Sequence, residues 1–428
     1  MRILFINQFF YPDASATSQL LTDLAVDLAA AGHEVSVLTG NALYQASPEP
    51  LRARESYKGV TIRRIYCGRF DRESGLRRAI SYGRFLFGAG VRLFRRRRLD
   101  VILVLTTPPM IAMLPALLCT WRGTPFVCWV QDVYPDIAHA LGVVKKNSRA
   151  ARLAQGLMGY IFATASGIVV LGDCMRELVL QKGSAPQKLS VIHNWAADNI
   201  VPVPRSKNPF LRGLGIRDEF VACYSGNLGL GHEFETLFGA MLRLRAHRQI
   251  RFLIIGEGAR LRELREQCYQ AQLDRVTFLP SQPRGNLSHS LSAGDVGLVS
   301  MRQGCEGTMV ASKIYGLLAA GRPYIYIGPA ATTMAAVAAE WQCGWQIDNG
   351  ADARLAAWLE HLQAHPDQVA EAGRNARLAY ERSFTRARAV REFELVLARA
   401  AGHPSGILLE PEVVGSAVTS RARAAVAE

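Results

Sequence analysis

The chain opens on an apolar run, Arg2-Ile-Leu-Phe-Ile-Asn7, that ends in a polar residue. A Tyr11-Pro12-Asp13 turn follows, after which Leu20, Leu21, Leu24, Ala25 and Leu28 recur at helical spacing as far as Gly32. Glu34-Val-Ser-Val-Leu-Thr-Gly40 reads as the next strand. A strand, a helix and a second strand form a right-handed unit whose two strands lie parallel. The same rhythm predicts strands over 60–66, 101–105, 125–130, 167–171 and 189–192. Repeated strand-helix alternation specifies a doubly wound α/β sheet.

The rhythm breaks over 194–209, where Pro202, Pro204 and Pro209 mark a linker, and then starts again. Phe220-Val-Ala-Cys-Tyr224 is a fresh strand that runs into Gly226-Asn-Leu-Gly-Leu-Gly231 and a helix through Phe234, Leu237 and Met241. Further strands are expected over 250–255, 276–279, 296–299 and 323–327. The reading is two Rossmann-like domains facing across a cleft: 1–195, a linker over 196–210, and 211–380. A closing helix over 381–402, periodic through Val390, Phe393, Leu395 and Leu397, is expected to return to the first domain, with a mobile tail over 403–428.

Composition narrows the class. At 428 residues the chain exceeds one ordinary domain, and 49% hydrophobic content supplies material for real cores. The eight cysteines are scattered without metal-type pairing and read as buried thiols in a reducing compartment. No export leader is expected, and the longest apolar stretch, 108–118, is too short to span a bilayer, which takes about 20 residues. The expectation is a cytoplasmic protein with no transmembrane segment.

The net charge of +14 is concentrated in the first half, where residues 1–195 hold 24 Lys/Arg against 13 Asp/Glu. Its densest part runs from Arg69 through Arg77, Arg78, Arg84 and Arg92 to Arg95, Arg96, Arg97 and Arg98. Interleaved with these are Leu76, Ile80, Phe85, Phe87, Val91, Leu93 and Phe94. One reading is a helix lying on the anionic inner face of a membrane. The other is a solvated helix whose apolar stripe packs on its own domain. No helix-turn-helix, zinc or RNP-type pattern accompanies the charge, so nucleic acid is not an expected partner.

In an open parallel sheet, ligands lie outside the carboxyl ends of the strands. The turn from Gly226 to Gly231 sits at such a place, where glycines let backbone N–H groups approach a diphosphate. Gly256-Glu-Gly258 is a second, weaker case. The richest stretch is Cys305-Glu-Gly-Thr-Met-Val-Ala-Ser-Lys-Ile-Tyr315, an amide-rich loop ahead of a helix that carries one carboxylate, Glu306, and one cation, Lys313. His139 and His193 each read as structural histidines, and no set of residues has metal-ligand spacing.

Six segments in order carry a resemblance: Gln8-Phe-Phe-Tyr-Pro-Asp13, Trp129-Val-Gln-Asp-Val-Tyr-Pro-Asp136, Ile192-His-Asn-Trp195, Tyr224-Ser-Gly-Asn-Leu-Gly229, Ile254-Ile-Gly-Glu-Gly258, and Ala311-Ser-Lys-Ile-Tyr315 with Ala320-Gly-Arg-Pro323. Over most of residues 1–400 the chain resembles the large retaining GT-B glycosyltransferase family, in its family 4-like, colanic-acid-type branch that assembles capsule, O-antigen and exopolysaccharide. The resemblance implies a nucleotide-sugar donor, with a UDP-sugar expected, bound in the second domain. It also implies a lipid-linked or glycan acceptor in the first domain and transfer of a hexose or N-acetylhexosamine with retention. Carried onto this chain, it gives donor-binding roles to Gly226, Asn227, Gly229, Gly256, Gly307, Thr308, Ser312 and Lys313. Glu306 would meet the donor-sugar hydroxyls, while Gln131 and Asp132 would face sugar and acceptor as catalytic groups. No metal or other cofactor is expected. The chain departs from the family where many members carry acids, having Thr308 and Gly316, and where many carry Arg and Lys in the glycine turn, having Asn227 and His232. Two alternatives stay open at this level: a nucleotide-sugar epimerase of the same architecture, and a non-catalytic membrane-associated scaffold.

Overall fold

The structure, a computed structural model, describes residues 1–43, 51–68, 74–96, 98–145 and 148–403. Arg69, Arg97 and the tail beyond His403 lie outside the described residues. Two parallel sheets form. The first holds β1 (Arg2–Ile6), β2 (Glu34–Gly40), β3 (Arg54–Tyr57), β4 (Val60–Ile65), β5 (Val101–Val104), β6 (Phe126–Trp129), β7 (Gly167–Val170) and β8 (Leu189–Val191), in the order β3-β4-β2-β1-β5-β6-β7-β8. The second holds β9 (Phe220–Ser225), β10 (Ile250–Ile255), β11 (Val276–Leu279), β12 (Val296–Ser300), β13 (Tyr324–Ile327) and β14 (Gly344–Ile347), in the order β11-β10-β9-β12-β13-β14. The two Rossmann-like domains expected from the sequence are therefore present.

The inner strands are continuous apolar runs because helices cover both sheet faces. β5, β6 and β7 are buried at every residue. Two strands gave no such signal. β3 is Arg-Glu-Ser-Tyr, antiparallel to β4 at the sheet edge, and β14 is Gly-Trp-Gln-Ile at the other sheet's edge. An edge strand covers little core and needs no apolar run. Strand order reverses between β1 and β5 in one sheet and between β9 and β12 in the other, so each domain turns its switch-point crevice outward from those carboxyl ends.

The helix Arg386–Ala400, capped by Thr385, crosses back to the first domain and buries Phe393 against Trp129, with ring centroids 4.6 Å apart. At its start Arg386 pairs with Asp27 (2.6 Å), Asp198 (3.0 Å) and Asp23 (3.1 Å). Arg284, from the second domain, also reaches Asp23 (2.7 Å). One buried core continues from the first sheet into Ile314, Tyr315 and Leu318 of the second domain. Apolar packing and a partly buried charge cluster thus hold the two domains together.

Helix α1 spans Ala16–Ala30 and α2 spans Gly75–Arg95. Phe85, Ala89 and Leu93 of α2 pack into the first domain, as expected of a helix whose apolar stripe packs on its own domain. Leu76 and Phe87, however, stand 74% and 77% exposed among the exposed Arg77, Arg78, Arg84, Arg92 and Arg95. Arg98 is exposed as well. Arg96 is a correction: it is half-buried and donates to Ser36 Oγ (2.8 Å), so it is not part of the outer face. Helix α3 (Met113–Arg122) adds Trp121 beside Phe94, with the Arg122 guanidinium 4.1 Å from the Trp121 ring centre. Among the described residues no helix is long and apolar enough to cross a membrane. Cys119 and Cys174 are only half-buried, a second correction, while the other six thiols are buried.

Candidate functional site

β9 delivers Tyr224 to its carboxyl end, fully buried, and the chain turns there at Gly226. Gly226 and Gly256 both take positive φ, +144° and +143°. The two turns are pressed together, and a Cβ at Gly256 would collide with the Gly226 carbonyl. Glycine at these two positions serves close backbone contact. Their own N–H groups are already used, Gly226 on Ile255 O (2.9 Å) and Gly256 on Leu279 O (3.0 Å). This corrects the expectation that either amide grips a ligand. Leu228 N–H is likewise spent on Glu257 O (2.8 Å), whereas the N–H groups of Asn227 and Gly229 donate to no acceptor among the described residues.

Lys313, at the start of the helix Lys313–Ala319, comes back over this turn. A Cβ at Gly226 would lie 3.3 Å from its Cε and 3.6 Å from its Nζ. The ammonium rests over the Tyr224 ring, 3.7 Å from the centroid, and donates to the Tyr224 hydroxyl. Burial pushes it well below the ordinary lysine range, and no carboxylate offsets that among the described residues. An anion placed beside it would favour the charged form of this lysine. Ahead of Lys313, the backbone N–H groups of residues 309–313 donate to no acceptor among the described residues. An unpaired run of amides beside a desolvated lysine is what a diphosphate requires. His232 stands near Lys313 and is held down to about 3, by burial first and by the lysine's charge second, so it stays neutral and adds no charge. Its Nδ1 bonds Ser300 O (2.6 Å).

The loop before Lys313 divides into a gripping half and a seam. Gly307 (φ +68°) lies so close to the first domain that a Cβ would come within 2.7 Å of Cys174 O. Thr308 is buried, its hydroxyl donates to Cys305 O (2.8 Å), and its carbonyl accepts from Val133 N (2.8 Å). Gly307 and Thr308 are therefore corrected from donor contacts to residues that close the interdomain seam. Glu306 is half-buried and accepts from its own loop at Gly304 N (3.1 Å).

Across the crevice, Gln131 and Asp132 lie in the bend that follows β6. Gln131 is buried, and its amide exchanges two hydrogen bonds with Asn194, at 3.3 and 3.1 Å. Asn194 in turn donates to Ser312 Oγ (2.8 Å). Gln131 is thus engaged in an interdomain clasp with Asn194 and Ser312, which corrects its expected exposure to substrate. Asp132 is different. Its backbone N–H reaches Thr106 Oγ (3.4 Å), while its carboxylate has no protein partner among the described residues, and burial raises it to about 6. Asn194 and Tyr224 were missed as site residues, although both lie inside motifs quoted above. His193 is half-buried, with Nδ1 on Leu171 O (2.9 Å), and His139 bonds Val144 O (2.9 Å), both structural.

The geometry can now be set beside known proteins. Residues 17–195 match the family described as glycosyl transferase 4-like domain, and residues 208–379 match glycosyl transferases group 1. WbjE of Pseudomonas aeruginosa, named a probable glycosyltransferase, is 30% identical over 269 residues, covering 63% of this chain and 67% of that protein. WcaI of Escherichia coli (strain K12), named for colanic acid biosynthesis glycosyl transfer, is 25% identical over 339 residues, covering 75% and 82%. The structure of Anabaena HepE in complex with UDP and glucose shares the fold, with a TM-score of 0.68 at 17% identity over 93% of this chain and 99% of that one. These matches favour a transferase over both the epimerase and the scaffold.

Proposed function

The chain belongs to the group 1 glycosyl transferases, with a glycosyl transferase 4-like first domain, and we propose that it moves a hexose or N-acetylhexosamine from a UDP-sugar to a lipid-linked glycan with retention of configuration. The setting is bacterial surface polysaccharide synthesis at the inner face of the membrane. One observation carries the reading: the N–H groups of residues 309–313, without acceptors among the described residues, lead into Lys313, whose side chain lies against the Gly226 turn and has no carboxylate partner there. That HepE binds UDP in the same fold supports the choice of donor.

The difficult step expels a nucleoside diphosphate from an anomeric carbon. The bond from C1 to the phosphate oxygen breaks, the acceptor oxygen bonds C1 on the same face, and the acceptor proton passes to the departing phosphate. Lys313, Ser312 and the loop amides meet the growing negative charge, and preorganised donors of this kind each contribute about 3–4 kcal/mol. Asn227 and Gly229 extend the cradle from the glycine turn. Asp132, opposite, supplies a carboxylate to the positive charge that develops on the sugar, and Glu306 is assigned to the donor-sugar hydroxyls. A diphosphate neutralised in this way needs no metal. The exposed Leu76, Phe87 and Trp121 among arginines of α2 and α3 support contact with anionic lipid, to which each basic residue adds about 1 kcal/mol.

The test is incubation with a panel of UDP- and GDP-sugars and lipid-linked acceptor, with proton NMR of the new anomeric centre. The expected product keeps the donor's configuration and forms equally in EDTA. An inverted product, a covalent sugar-enzyme adduct, or loss of turnover in EDTA would overturn the corresponding part.

A further inference from the structure

The second sheet has a cavity at the end away from the donor turn. About 500 Å³ in volume, it opens at the amino ends of β9, β12 and β13, where Phe220, Asp295 and Pro323 line it. That volume lies within the range of small-ligand pockets, about 300–1,000 Å³. β9 runs from Phe220 to Ser225, so at about 3.3 Å per residue the cavity lies roughly 20 Å from the Gly226 turn. The linker over 202–204, the turn over 320–323 and the helix Pro366–Ser383 close the walls. That helix can approach because two glycines meet: a Cβ at Gly373 would lie 2.8 Å from Gly321 O, and Gly321 itself takes φ +62°.

Most of the wall is apolar, with Pro202, Pro204, Phe220 and Val369 among its residues, but its charge is one-sided: Arg322, Arg374 and Arg377 face a single acid, Asp295. That acid is already spent. Asp295 accepts from Arg205 Nη1 (3.1 and 2.8 Å) and from Val221 N (2.7 Å). Arg377 is partly spent, on Glu381 (2.7 Å) and Ala319 O (2.6 Å). Arg374 is exposed and has no partner among the described residues. Arg322 is underpaired: Nη2 donates to Val203 O (3.0 Å), while Nε is sealed from water and bonds nothing among the described residues. Burial holds this guanidinium below the ordinary arginine range, which the charge of Asp295 offsets only in part. Guanidinium groups pair most strongly with carboxylate and phosphate, and loss of water strengthens the attraction.

We infer that this cavity binds a small molecule made of an apolar body and one carboxylate or phosphate group, at a place apart from the donor site. The apolar walls take the body, and Arg322 with Arg374 meets the anion. The site is independent of the glycosyl-transfer reading. Val203 belongs to the linker, and the turn over 320–323 follows the helix that begins at Lys313. An occupant therefore touches both the linker and the far end of the helix that carries the donor-site lysine.

The experiment titrates the full chain into para-trifluoromethylbenzoate and para-trifluoromethylphenyl phosphate and follows each by fluorine NMR, with and without saturating UDP. The uncharged counterpart is para-trifluoromethylbenzamide. At least one anion is expected to bind saturably, roughly tenfold or more tighter than the amide, and to stay bound in UDP. Arg322→Leu should weaken that binding roughly tenfold or more, and Arg374→Ala several-fold. Ala370 is an exposed helix residue on the cavity wall, so Ala370→Trp fills the space without entering the core and should give the same loss as Arg322→Leu. Its melting temperature should match the native chain's, which keeps the test intact should Arg322→Leu fail to fold. Amide binding as tight as that of both anions would overturn the site. So would the absence of saturable anion binding at millimolar concentration, full binding by Ala370→Trp, or complete displacement by UDP.

Discussion

At the ends of the first sheet, several side chains bond within the protein: Gln131 and Asn194 bond each other, Asn7 Nδ2 donates to Phe9 O (2.7 Å), and Thr106 accepts from the backbone of Asp132 (3.4 Å). At the ends of the second sheet the amides of residues 309–313 meet no acceptor, and the half-buried Lys313 no acid, among the described residues. The same architecture has been filled differently. A buried unpaired donor is costly unless a ligand completes it, which supports the anion-binding role proposed for the second domain. The first domain spends the amides of Gln131 and Asn194 on each other, and it presents the Asp132 carboxylate to the crevice.

The strongest way to break this contrast is to remove the cation. Lys313→Ala should cost about 3–4 kcal/mol of transition-state stabilisation, two to three orders of magnitude in turnover. Its melting temperature should stay near the native one, because a desolvated charge disappears with the side chain. Near-normal turnover would remove Lys313 from the site. Asn194→Ala attacks the clasp of Gln131, Asn194 and Ser312. It strands Gln131 and frees Ser312, so denaturant unfolding should show a loss of about 1–3 kcal/mol together with a fall in kcat. Unchanged stability would show that the clasp is idle.

The smallest effect sharpens the role of Asp132. Its carboxyl, raised to about 6 by burial, is ionised above that pH and neutral below it. If the carboxylate is the active form, turnover declines as pH falls through about 6, and Asp132→Asn is slow throughout without that acid limb. An identical acid limb in the variant would assign it to another group.

The apolar runs of β1, β5, β6 and β9 made both sheets legible, since a doubly covered strand must be greasy along its whole length. β3 and β14 were not legible, because edge strands carry no such requirement. At the site, the Gly226 turn and Lys313 could be read from the sequence and the structure brings them together. What each amide bonds could not be read. Gly226 and Gly256 spend theirs on neighbouring strands, and Gln131 finds Asn194 across 63 residues of chain. Such pairings are decided by tertiary contact, which local spacing does not encode. The same holds for Gly307 and Thr308, whose loop looked like part of a phosphate grip and instead touches Cys174 and Val133.

The central claim is that amides 309–313 and Lys313 receive the diphosphate, and hydrogen exchange read amide by amide with and without UDP tests it most directly. The account predicts that exchange across 309–313 slows when UDP is added, while the already bonded amides of Gly226 and Gly256 change little. Protection elsewhere in the chain with 309–313 unaltered would contradict it.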